Sequence, residues 1–115
     1  MKWLVLVVAL AACKKESSAP PPPAVPQLSA EETKRDQDAC KAYVDRVCAC
    51  AEKVPDVKKL CELARALPEA MRINLEVAAT PDTKPDVARQ SLEGVRKTAK
   101  ECIEQTAKLP ALGCP

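Results

Sequence analysis

The chain of 115 residues contains no histidine and no phenylalanine, one tryptophan, one tyrosine and two glycines. Without histidine, the commonest general base is missing and so is the commonest neutral metal ligand. Ser91 has no evident catalytic partner, and the acidic residues are spread along helix surfaces, so no enzyme is expected. Trp3 lies in the leading apolar run, which leaves Tyr43 as the one aromatic residue of the remaining chain. Surfaces that stack bases or sugars need more aromatic faces than that. Charge excess is lacking too: 18 Lys+Arg stand against 16 Asp+Glu, a formal net charge of +2. That balance gives no footprint for nucleic acid and no basic block for an anionic membrane surface.

Cysteine and proline are plentiful instead, with seven and eleven residues. From Leu28 onward the large apolar residues amount to seven Val, eight Leu, two Ile, one Met and one Tyr. That is a thin core, and small domains of this kind usually need covalent staples. A cysteine-rich chain without histidine reads as a disulfide scaffold or a thiolate metal site, and the compartment decides between them.

The first residues speak to the compartment. Met1-Lys2 is a short positive start, and Trp3–Leu10 is an apolar stretch of eight residues. A bilayer span needs about 20 helical residues, so this stretch fits the apolar region of an export signal. Leu10-Ala11-Ala12-Cys13 resembles the lipobox of bacterial lipoprotein precursors. The resemblance implies a signal peptide over residues 1–12, cleavage before Cys13 and a thioether-linked diacylglycerol on Cys13, usually with a third, amide-linked chain. Two or three acyl chains make a firm anchor, because each buried methylene contributes about 0.8 kcal/mol. Lys14, rather than Asp, follows the anchor, and by the same resemblance this favours the outer membrane of the cell envelope. With Cys13 lipidated, six cysteines remain, an even number.

Residues 13–27 form the lipidated cysteine and its tether. Pro20–Pro23 and Pro26 stiffen the stretch from Lys14 to Gln27 toward polyproline II, a reach on the order of 40 Å at about 3.1 Å per residue. A spacer fits this stretch better than a proline-motif ligand for a groove-binding domain, since nothing marks a docking residue.

Residues 28–115 carry helical signals throughout. Ser29-Ala30-Glu31-Glu32 reads as a capping box, with Ser29 as N-cap and Glu32 at N3. Cys40, Tyr43, Val44, Val47, Cys48, Ala51 and Val54 recur at helical spacing, which predicts a helix from about Ala30 to Lys53, ending at Val54-Pro55. A second helix is expected from near Asp56, with Val57, Leu60, Cys61, Ala64 and Leu67 on one face, and with Pro68 kinking it or starting another. Met71, Ile73, Leu75 and Val77 alternate with polar residues like a strand, but no second strand exists to pair with it, so helix is assigned. Thr80–Pro85 is a loop. The last helix spans about Lys84 to Lys108, with Ala88, Leu92, Val95, Ala99, Cys102, Thr106 and Leu109 as its seam, Gly94 as a weak point, and a tail carrying Cys114. No internal repeat is present. The fold class is all-α, a small three- or four-helix bundle stapled by three disulfides.

The disulfide candidates are Cys40, Cys48, Cys50, Cys61, Cys102 and Cys114. Cys40 and Cys48 lie about 12 Å apart along one helix, beyond bonding reach. Cys48 and Cys50 are separated by about 200° around that helix. Each of the three must therefore bond to Cys61, Cys102 or Cys114, leaving six connectivities. Reflection about Pro55 sets Cys61 opposite position 49, so its partner is Cys48 or Cys50. The C-x-C pair also admits a Cu(I)-binding or thiol-redox reading, which needs both sulfurs on one side of an unwound helix. Structural staples fit better; no metal and no cofactor are assigned.

The domain resembles the small Cys-rich lipoproteins predicted in myxobacteria-like Gram-negative genomes, from which no activity carries over. Saposin-type lipid-binding domains differ in their cysteine spacing. The reading is a membrane-anchored envelope lipoprotein, with membrane lipid as partner through acylated Cys13. Its helical domain is a binding or structural module with an envelope protein partner. A carrier of an apolar ligand, held near Leu92 and Val95, is the alternative from another class.

Overall fold

The computed structural model describes residues 27–115; the expected signal peptide, the expected lipidation site Cys13 and the expected tether up to Pro26 lie outside the described residues. Four α-helices follow one another: α1 Ala30–Ala51, α2 Lys58–Ala64, α3 Ala66–Ala79 and α4 Pro85–Lys108. Short 3-10 turns at Pro55–Val57 and Leu109–Leu112 complete the order, and the described residues contain no strand. The protein is an all-α bundle stapled by three disulfides.

Helix α1 begins where its cap places it: the Ser29 hydroxyl accepts a hydrogen bond from the Glu32 N–H at 3.1 Å. Only half of the expected capping box forms. The Glu32 carboxylate reaches across to α4 and accepts from Arg96 Nε at 3.0 Å. The helix stops at Ala51, short of the expected Lys53, because Lys53 N–H and Val54 N–H both turn back onto the Cys50 carbonyl at 2.9 and 2.8 Å. Pro55, with no N–H to give, then opens the 3-10 turn.

Helices α2 and α3 form one returning arm with a break at Arg65. Pro68 falls in the first turn of α3, where an absent N–H costs nothing, so it starts the helix rather than disrupting it. The alternating stretch is helical, as assigned: Met71 is fully buried, Asn74, Leu75 and Ala78 are half-buried, and Ile73 stands 47 % exposed. A strand would have put Ile73 and Met71 on one face. The loop 80–84 is closed by Thr83 Oγ1 donating to the Val77 carbonyl at 2.8 Å.

Helix α4 lies antiparallel to α3 and parallel to α1. Its parallel course shows in three successive links, Glu32 to Arg96, Cys40 to Cys102 and Cys50 to Cys114. The seam reads as expected at Ala88, Leu92, Val95, Ala99, Cys102 and Leu109, all buried, while Thr106 is half-buried. Met71, Leu109, Val47, Val95, Cys40 and Cys102 are the largest fully buried side chains. Five of the six come from α1, α3 and α4 and Leu109 from the turn behind α4, and all belong to one core cluster common to the three helices. Past α4, Gly113 adopts φ 89°, which only glycine tolerates easily, and Cys114 N–H bonds to the Leu109 carbonyl at 3.0 Å. That turn brings Cys114 back to α1.

Candidate functional site

The six cysteines pair as Cys40–Cys102, Cys48–Cys61 and Cys50–Cys114, with Cα–Cα distances of 4.9, 4.7 and 5.5 Å. Every α1 cysteine bonds outside α1, and this is one of the six connectivities that helix geometry allows. Cys61 takes Cys48, because α2 packs on the flank of α1 that Cys48 faces. Cys50 faces the other flank and meets the tail. The C-x-C pair is therefore split between two bridges, and neither sulfur is free to share a metal ion or a proton with the other. Among the described residues, no group of three or more Cys, Asp or Glu converges on a point where a metal ion fits.

The bridges differ in exposure. Cys40 and Cys102 are at 0 %, Cys50 and Cys114 at 4 %, whereas Cys61 is at 7 % and Cys48 is half-buried. Cys48 and Cys61 line an open cleft of about 490 Å³, whose rim carries Glu52, Lys58, Glu62 and Arg65. A second cleft of about 560 Å³ lies at the opposite end, between the start of α1, the end of α3 and the start of α4. Leu28, Leu75, Ala88 and Leu92 form its apolar side and Thr33, Thr80 and Thr83 its polar one. Leu92 thus borders a surface groove, while Val95, one turn on, is sealed in the core.

Among the described residues one carboxyl is buried: Asp36, 8 % exposed, one turn before Cys40. Burial raises its pKa above the usual carboxylate value, the charge of Glu32 adds to that, and Arg35 and Arg96 oppose it. Burial also raises the Tyr43 phenol, with Glu101 contributing. Sequence periodicity did not single out Asp36, although its spacing of four from Cys40 places both on one helix face. The contact of Asn74 with Gly94 also escaped it, since a glycine in a helix carries no sign of what crosses it.

No family model matches this chain, and neither the curated proteins nor the solved structures contain a match. What defines the protein structurally is the class just described, a disulfide-stapled helical bundle in which α1 is bridged once to the parallel α4 and once to the tail behind it.

Proposed function

We propose that this chain is a lipoprotein of the bacterial cell envelope, anchored through acylated Cys13, whose stapled domain, residues 28–115, acts as a rigid binding or structural module. The observation that carries the reading is the cysteine arithmetic. Three bridges use all six cysteines of the domain, which leaves Cys13, at the end of Leu10-Ala11-Ala12, as the single odd one. Disulfides belong to oxidising compartments, and a lipobox directs a chain into one. Membrane lipid is then the first partner, through Cys13, and an envelope protein the second; Lys14 favours the outer membrane, and nucleic acid has no place. No catalytic constellation is assigned, so the module works by presenting a fixed surface.

The test is a mass spectrum of the protein purified from its native membrane, taken before and after reduction and alkylation. The expected result is a diacylglyceryl adduct on Cys13 and six further thiols that appear only after reduction. An unmodified Cys13 in a chain that partitions with the aqueous phase overturns the reading.

A second reading, a carrier for an apolar ligand, draws on the groove beside Leu92. It requires that a fatty acid or similar probe protect Leu92 and Ala88 in an NMR titration; unchanged resonances there exclude it.

A further inference from the structure

The three bridges are unequal in what they hold. Cys40–Cys102 and Cys50–Cys114 both tie α1 to α4 or to the tail behind it. The returning arm, α2 with α3, is tied to the rest by one bridge only, Cys48–Cys61. They are unequal in access as well. Thiol–disulfide exchange begins with a thiolate approaching a sulfur in line with the bond, so its rate depends on access to that sulfur. The cysteines of the other two bridges are 4 % exposed or less. Cys48 is half-buried and opens, with Cys61, onto the cleft between α1 and α2. Lys58 and Arg65 on the rim offset Glu52 and Glu62, so an arriving thiolate meets no net negative wall.

We propose that Cys48–Cys61 is a thiol-exchange site, taken reversibly by a dithiol reductant of the C-x-x-C class. One thiolate of the reductant attacks Cys48 Sγ; the Cys48–Cys61 bond breaks, and Cys61 leaves as a thiolate that takes up a proton. The second thiolate of the reductant then attacks its own sulfur in the mixed disulfide, releasing Cys48 as a thiolate that is protonated in turn. The reductant ends as a disulfide and the protein gains two thiols. The α1–α4 frame keeps both of its bridges, and only the α2–α3 arm loses its covalent hold. The inference rests on the bundle alone and does not depend on the lipid anchor.

The experiment titrates the oxidised full chain with dithiothreitol, blocks new thiols with iodoacetamide, then reduces fully and labels the remainder with N-ethylmaleimide. Peptide masses are expected to show Cys48 and Cys61 blocked about tenfold sooner than the other four. Prior opening of either other bridge, or release of all three in one step, overturns the proposal. A C-x-x-C reductant with its second cysteine replaced by serine is expected to be trapped on Cys48; trapping on another cysteine, or none, overturns the choice of co-reactant. In the singly reduced protein, hydrogen exchange across residues 66–79 is expected to rise about tenfold while the centre of α4 around Val95 keeps its protection. A uniform rise along the chain overturns the separation of arm and frame.

Discussion

Cys48 and Cys50, two positions apart in α1, are bridged to segments on opposite flanks of that helix, Cys61 in α2 and Cys114 in the tail. Two residues along an α-helix turn through about 200°, so neighbouring cysteines of this spacing act on two surfaces at once. With Cys40 held to α4 eight residues earlier, one helix carries a half of every bridge in the domain. The thin apolar core is thereby supplemented at three levels along α1.

The bridges are expected to rank by the length of chain they close. Cys40–Cys102 spans 62 positions and Cys48–Cys61 spans 13. Restricting the unfolded chain gives about 4 kcal/mol for the longer loop and about 3 kcal/mol for the shorter. Serine pairs at 40/102 and at 48/61, compared by urea denaturation, should show the first variant as the less stable. The reverse order would mean that the stabilisation of α2 against α1 depends on more than loop closure.

Among the described residues Met71 is the largest fully buried side chain, and it is the arm's deepest contribution to the core. Met71→Ala is expected to cost about 3 kcal/mol, within the range of core truncations that leave a cavity. Ile73→Ala, two positions on and 47 % exposed, should cost well under 1 kcal/mol. Equal losses in denaturation midpoint would contradict the helical facing of this stretch.

That stretch also shows where sequence reasoning succeeds and where it stops. Met71 to Val77 alternates like a strand, and only the lack of any pairing partner points to helix; the argument is global and the outcome follows it. Reflection about Pro55 narrows the partner of Cys61 to Cys48 or Cys50, because a short turn between helices constrains which residues face each other. Choosing between Cys48 and Cys50 requires knowing on which flank α2 packs, and that is a tertiary fact. The Glu32 carboxylate leaves its local cap for Arg96, 64 positions away, for the same reason. Local signals cannot weigh a partner that arrives only with the fold.

Gly94 illustrates a coupling of this kind. A Cβ built there would stand 2.7 Å from Asn74 Nδ2 and 3.2 Å from its Cγ, so α3 and α4 approach closely over a glycine. Alanine should gain about 1 kcal/mol from helix propensity alone, but Asn74 must move to admit it. Gly94→Ala by itself is therefore expected to fall short of that gain, and the same change in an Asn74→Ala background to recover it. A double-mutant cycle should give a coupling of at least about 0.5 kcal/mol; strict additivity would show that Asn74 yields without cost.

Asp36 sets the expected pH response. Burial is the main cause of its raised pKa, ahead of the Glu32 charge, and the folded state therefore disfavours its ionised form. A carboxyl whose folded pKa lies above its unfolded one holds its proton more tightly in the folded protein. Its contribution to stability is full below the ordinary value of 3.8 and is lost as pH rises through the folded pKa. Asp36→Asn, which keeps the shape and removes the charge, is expected to raise the melting temperature at neutral pH, with the advantage shrinking as pH falls towards 3.8. The other carboxylates act equally in both proteins, so the difference between the two melting curves isolates this one group. A neutral-pH loss instead would show that the attraction of Arg35 and Arg96 outweighs the cost of burying the charge, and would make Asp36 part of the Glu32–Arg96 link between α1 and α4.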